Sequence, residues 1–238
     1  SFAAVLLTFF ILVAILLSNF IVRTNEDSES VTSPSFDIYM ISLSKSQVEK
    51  ESLARAGDFQ KIGAGGFVWQ QDSYYHVITS AYIEKNDAVL VQNSIKLNQN
   101  LESEIITVSF PSISIMGSFT SEEKKILSRS LMAIKEYYLS IFDIAISLDT
   151  GVYNEISARL AVNSAHNTLN NIVDDYNTLF QSTLDKQLTL LKEMLNNASQ
   201  ISTLLCGGEK INDGQTYSSI LKYRYLELLS IYYDFANS

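Results

Sequence analysis

Gly65-Gly66-Phe67-Val68-Trp69-Gln70, then Gln71-Asp72-Ser73, then Tyr74-Tyr75-His76-Val77-Ile78-Thr79-Ser80-Ala81-Tyr82 decide how this chain folds. Two runs rich in aromatic and β-branched residues flank a short polar turn, the pattern of a β-hairpin. On its N-terminal side, Phe36–Leu43 (FDIYMISL) alternates like a strand, and 46–57 (SQVEKESLARAG) places Val48, Leu53 and Ala56 at helical spacing up to Gly57. On its C-terminal side, 84–97 (EKNDAVLVQNSIKL) returns to helical spacing through Ala88, Val91 and Ile95. Glu104–Phe110 (EIITVSF) closes as a strand before Pro111. The element order is β-α-β-β-α-β, that of the ferredoxin-like or split βαβ class.

Beyond Gly117 the pattern changes to helices alone. Thr120-Ser121-Glu122-Glu123 has the spacing of a capping box and opens a periodic stretch that ends at Thr150-Gly151. A second stretch runs from about Tyr153 to Leu205 with no Gly or Pro, so a single helix of some 75 Å is expected. A third runs from Tyr217 to Phe235 after the loop 206–215. Short connections make such helices antiparallel neighbours.

The other end of the chain is of a different kind. Phe2–Val22 holds no charged residue, and as a helix its 21 residues would measure about 31 Å, close to a bilayer core. A signal peptide has a shorter apolar region and an A-x-A-like cleavage site, and neither is present here. Residues 24–35 (TNEDSESVTSPS) are polar and acidic and read as a short flexible tether. The expected fold class is therefore α+β. A transmembrane anchor (1–23) and a linker (24–35) lead to a βαββαβ domain (36–116). A C-terminal antiparallel three-helix bundle with one long helix (117–238) follows. The orientation rule for flanking charges places everything after Arg23 outside the cell membrane, as an extracytoplasmic, single-pass protein.

Tyr75-His76-Val77-Ile78-Thr79-Ser80-Ala81-Tyr82, followed by Glu84-Lys85-Asn86-Asp87-Ala88, resembles the second half of a SPOR (sporulation-related repeat) domain. Tyr39-Met40-Ile41-Ser42-Leu43-Ser44 and the helix after it are similar to the first half. Ser42, Ser44, His76 and Ser80 stand where the family pattern has Gln, Gly, Arg and Gly. The resemblance covers about 75 of the 238 residues. It implies a domain that binds septal peptidoglycan glycan strands outside a membrane anchor, in cell division or sporulation.

Strand alternation puts Tyr39, Ile41 and Leu43 on one side of the sheet and Ile38, Met40 and Ser42 on the other. With the first set under the helices, the second face carries Met40, Ser42, Tyr74, His76 and Ile78, joined by Trp69 if no hairpin bulge turns it away. Aromatic rings beside hydroxyl and imidazole groups suit sugars, which present C–H patches and hydroxyls together. The same face is apolar enough to be covered by protein, including the C-terminal helices, in which case no glycan enters. These two readings, glycan binder and membrane-tethered interaction scaffold, separate on whether that face is free.

Several chemistries are excluded or unsupported. A net charge of −9 without a basic stripe argues against nucleic acid. Two His on separate domains and one Cys do not make a zinc site or a disulfide framework. His166 reads as a solvated helix residue, and Cys206 as a helix-end thiol. Gly63-Ala64-Gly65-Gly66 lacks the Gly-Lys-Ser/Thr of a phosphate loop and precedes a strand. Asp174-Asp175 and Glu122-Glu123 are adjacent on helices and cannot share a proton. No catalytic residue, cofactor or metal is expected. The expected partners are glycan strands, the lipid bilayer through residues 2–22, and a protein bound by the C-terminal helices.

Overall fold

The computed structural model describes residues 30–207 and 215–238, which form six helices and two antiparallel sheets. The expected membrane anchor lies outside these residues. Among the described residues, no helix is long and apolar enough to cross a membrane.

The elements in chain order begin with β1 (Ser30–Ser33), β2 (Phe36–Ser46), α1 (Glu49–Gln60), β3 (Phe67–Gln71) and β4 (Tyr74–Tyr82). They continue with α2 (Lys85–Gln99), β5 (Glu104–Phe110) and β6 (Ile113–Met116). The helical half is α3 (Ser121–Asp149), α4 (Glu155–Leu179), α5 (Lys186–Cys206) and α6 (Tyr217–Ala236). The main sheet has the order β3-β4-β2-β5 with every neighbouring pair antiparallel. Each helix crossover joins strands that are not neighbours, so α1 and α2 share one face of the sheet. The hairpin turns at Asp72-Ser73, where Asp72 takes a left-handed φ of 54°, a conformation Asp tolerates better than most residues.

Three expectations are corrected. Residues 30–33 are not tether: they form β1, paired with β6 in a second, two-stranded sheet, Ser30 opposite Met116 and Ser33 opposite Ile113. The 50-residue helix does not exist, because α4 ends at Leu179 and α5 starts at Lys186. Asp185 caps the new helix by accepting from Leu188 N–H at 2.9 Å, and the Tyr176 hydroxyl donates to Leu188 C=O at 2.7 Å across the turn. The helical half is thus a four-helix arrangement rather than three. His166 is not simply solvated: it sits half-buried between α4 and α5, with Nδ1 2.8 Å from Ser202 Oγ and Nε2 3.0 Å from Asn170 Nδ2. An amide can only donate there, so Nε2 accepts and the proton is on Nδ1.

Smaller shifts are local. Helix α1 begins at Glu49, three residues later than the sequence pattern starts, and runs past Gly57 to Gln60. The capping box at Thr120 and Glu123 is present in full, with Glu123 N–H 3.2 Å from Thr120 Oγ1 and Thr120 N–H 2.7 Å from Glu123 Oε2.

The two halves are not separately cored. Ile38, Met40, Trp69, Ile78 and Phe110 of the sheet belong to one buried cluster with Leu131, Ile134, Tyr138, Tyr225 and Tyr232 of α3 and α6. The other sheet face, under α1 and α2, holds a much smaller cluster of Ile41, Tyr82, Ala88 and Ile95.

Candidate functional site

The six residues expected on the second sheet face do share it, but the face is divided. Met40 and Ile78 are fully buried and Trp69 is 5% exposed, all within the core that joins the sheet to α3 and α6. They present no surface to a ligand. Ser42, Tyr74 and His76 lie together at the far end of the face, where Tyr74 is 39% exposed but Ser42 and His76 are buried, at 1% and 6%.

The seal over the first group is built from backbone as well as side chains. Strand β3 starts at Phe67 opposite Ile78, so the last residues of β4 have no strand beside them on that side. Their polar groups still need partners once buried. Gly65 N–H donates to Thr79 C=O at 2.9 Å. The Tyr138 hydroxyl of α3 donates to Ala81 C=O at 3.0 Å, and Ala81 N–H donates to the Tyr225 hydroxyl of α6 at 3.3 Å. Burial raises the pKa of both phenols, so they stay protonated throughout the neutral range. A shift of register between Ile41 and Ser42 leaves Thr79 unpaired with β2, which lets Ile78 and Ala81 both contribute to the same core.

The Gly-rich run 63–66 acts in this seal. A Cβ on Gly65 would stand 2.9 Å from Leu226 Cδ1 and 3.0 Å from Thr79 O, so only glycine lets the loop lie between β4 and α6. Lys222, 9% exposed, donates to Gly63 C=O at 2.9 Å and pairs with Asp149 Oδ2 at 2.6 Å, joining that loop to the ends of α3 and α6.

At that end of the face, the polar residues form a compact cluster. His76 Nδ1 is 3.3 Å from Ser42 Oγ and 3.3 Å from Glu104 Oε1. Lys45 Nζ is 3.0 Å from Glu104 Oε2 and lies 5.6 Å from the centre of the Tyr74 ring. The Ser42 hydroxyl donates to Ser44 C=O at 3.1 Å, so its oxygen is an acceptor for the imidazole. Burial lowers the His76 pKa, with the Glu104 carboxylate opposing and the Lys45 ammonium reinforcing the shift. At neutral pH the imidazole is uncharged, with its proton on Nδ1 facing the two acceptors.

Lys45 and Glu104 are the members the sequence reading did not include. Register puts Glu104 opposite Ser42, and it puts Lys45 opposite His76 because β2 continues to Ser46. A strand-initial Glu and a Lys two residues past an apolar run were the available signals, but they need the strand order to meet. Just beyond β3, a cleft of about 470 Å³ lies between the sheet edge and α6, with Trp69, Tyr75 and Tyr233 along it and Glu49, Asp72 and Asp234 at its rim. The cluster offers an ammonium, a carboxylate and an exposed phenol ring for polar recognition, with the buried imidazole behind them. The Ser42 hydroxyl beside His76 gives its proton to Ser44 C=O rather than to the imidazole, and Ser42 and Glu104 face the same ring nitrogen, Nδ1. Among the described residues, no group of three or more His, Cys, Asp or Glu could hold a metal ion. Cys206, half-buried at the end of α5, has its thiol pKa raised by burial, which disfavours the reactive thiolate.

Comparison of the chain with family models, curated proteins and solved structures finds no match.

Proposed function

We propose that this chain is a non-catalytic, membrane-tethered interaction scaffold. In this reading a SPOR-like βαββαβ sheet serves as a docking platform for the chain's own helical bundle. The observation that carries it is the full burial of Met40 and Ile78 beneath α3 and α6, with both backbone groups of Ala81 satisfied by tyrosines of the bundle. A face used to hold a bundle in place is not available to a glycan strand. The tethered arrangement follows from the uncharged run 2–22, and the bundle then becomes the part presented to a protein partner outside the membrane. Ile156 and Leu160, one helical turn apart on α4 and 73% and 66% exposed, are the apolar residues such a partner would cover.

A narrower glycan reading is favoured by the exposed Tyr74 ring alone. It stands beside the half-exposed Lys45 and Glu104, with Ser42 and His76 buried behind them, a combination that suits a sugar edge rather than a whole glycan strand. Such binding would serve the division or sporulation role that the family resemblance implies.

Co-sedimentation of residues 24–238 with peptidoglycan sacculi, before and after amidase removal of stem peptides, separates the two. The scaffold reading expects no pelleting on either. Pelleting on stripped sacculi that a Tyr74→Ala/His76→Ala variant loses would replace it with the glycan reading.

A further inference from the structure

We propose that one end of the folded part lies against the lipid surface, with Leu184 and Met116 entering the interfacial layer. This end carries Ser30, Met116 and the turn between α4 and α5. The inference rests on the reading of residues 2–22 as a membrane anchor and adds which surface of the protein the bilayer meets.

The length of chain between the apolar run and the sheet sets the geometry. From Arg23 to Ser30 there are seven Cα–Cα steps, which span at most about 25 Å when fully extended. Ser30 is held in place by its pairing with Met116. Around that point the structure gathers the elements that must therefore lie near the bilayer. Gln187 Nε2, in the first turn of α5, donates to Ser114 C=O of β6 at 3.5 Å. Helix α3 begins at Ser121, a few residues after Met116, and the Arg129–Asp175 pair at 3.1 Å sets the end of α4 beside the start of α3.

This end presents apolar side chains to solvent. Leu184 is 99% exposed at the tip of the α4–α5 turn, Met116 is 69% exposed, and Leu179 is 36% exposed. A leucine fully in water at a turn gains by transfer into an apolar layer. No basic cluster draws this end to an anionic surface, because Glu122-Glu123 is balanced by Lys124-Lys125, Asp185 by Lys186, and the linker before Ser30 adds Glu26, Asp27 and Glu29. The contact is accordingly apolar and needs no anionic headgroup. Ile156 is also exposed, but it lies 23 residues from Leu179 along α4, about 35 Å away at the other end of the bundle.

The test uses the full chain, with Cys206→Ser removing the native thiol, reconstituted into phosphatidylcholine vesicles with and without phosphatidylglycerol. Leu184→Cys and, separately, Met116→Cys carry an environment-sensitive NBD label, and Ile156→Cys is the distant control. The expected result is at least twofold stronger quenching by spin-labelled lipid at 184 and 116 than at 156, already present in phosphatidylcholine alone. Flotation of the vesicles at alkaline pH reports the anchor independently. Protein that floats, yet is quenched no more at 184 and 116 than at 156, overturns this proposal and leaves the anchor standing. Quenching that appears only with phosphatidylglycerol overturns it as well, since the contact would then be electrostatic. Protein that fails to float overturns the anchor and this proposal together.

Discussion

The two faces of the main sheet are held by very different amounts of protein. Under α1 and α2 the buried cluster is Ile41, Tyr82, Ala88 and Ile95, with Ser52 and Ala56 of α1 also buried, and much of the surrounding apolar surface, Leu53 and Leu90 among it, remains exposed. On the opposite face the sheet shares a continuous aromatic core with α3 and α6. Phe110 packs between Tyr232 and Tyr233 at ring separations of 5.8 and 5.5 Å, and Trp69 meets Tyr233 edge-on at 5.4 Å. The face with its own two helices is the weaker one. A βαββαβ unit usually closes one face with its helices and leaves the other to function. Here the second face is covered by the bundle and carries the larger buried cluster.

The strongest way to break that comparison is to remove the bundle. Residues 30–116 alone would expose Ile38, Met40, Ile78 and Phe110, all now at most 1% exposed, and would leave Ala81 without its two tyrosine partners. We expect this fragment to show no cooperative thermal transition by circular dichroism, whereas 24–238 unfolds in one step. A fragment that melts cooperatively would show that the α1–α2 face suffices.

Single cavities sharpen the comparison by measuring each face separately. Ile78→Ala is expected to cost about 4 kcal/mol, because its surroundings are fixed by strands and two long helices and cannot collapse into the void. Ile95→Ala on α2, facing the thinner core, is expected near 2 kcal/mol, the low end for such truncations. Urea denaturation of both variants gives the difference, and equal costs would remove the asymmetry between the faces.

The loop that seats the sheet on α6 provides a smaller effect. Gly65→Ala forces a methyl group toward Leu226 and the Thr79 carbonyl, and overpacking of this kind costs about 1–3 kcal/mol. Gly57→Ala, where a Cβ meets nothing within 4 Å, is expected to be neutral or stabilising because Gly57 lies inside α1. A thermal shift assay on the two variants reads the contrast directly. Loss of stability in both would mean that helix α1, rather than the contact with α6, is the sensitive element.

Why some of this was legible in the sequence and some was not follows from range. Strand β5 shows the bounds its pattern predicts, Glu104 to Phe110, because alternation and a following Pro are local signals. Strand β1 was invisible: Ser-Val-Thr-Ser offers one apolar residue, Val31, and its partner strand is some 80 residues away. The break at Phe180–Asp185 has neither Gly nor Pro and depends on an Asp cap and a tyrosine hydroxyl reaching across the turn. Alternation correctly grouped Met40, Ser42, Tyr74, His76 and Ile78 on one face. It could not say what lies over them, since an apolar stripe reads the same beneath a helix as beneath a sugar. Lys45 and Glu104 escaped because their meeting with His76 needs strand order and register together.

The smallest expected effect tests the rim cluster itself. Burial holds the His76 imidazole below its ordinary value of 6.5, while Glu104 pulls the other way. The unfolded chain therefore takes up this proton first as pH falls, and the folded state loses stability from about pH 6.5 down to the depressed folded-state pKa, below which the loss levels off. Above pH 7 the imidazole is neutral in both states and contributes no pH dependence. His76→Gln keeps a polar side chain within reach of Ser42 and Glu104 but does not titrate, so its urea midpoint should fall less than the wild-type midpoint between pH 7 and pH 5. Glu104→Gln in the wild-type background removes the opposing carboxylate, depresses the imidazole further and makes the acid loss larger. If the His76→Gln and wild-type profiles run parallel over this range, the imidazole is not coupled to folding, and its contacts with Ser42 and Glu104 do not set its protonation.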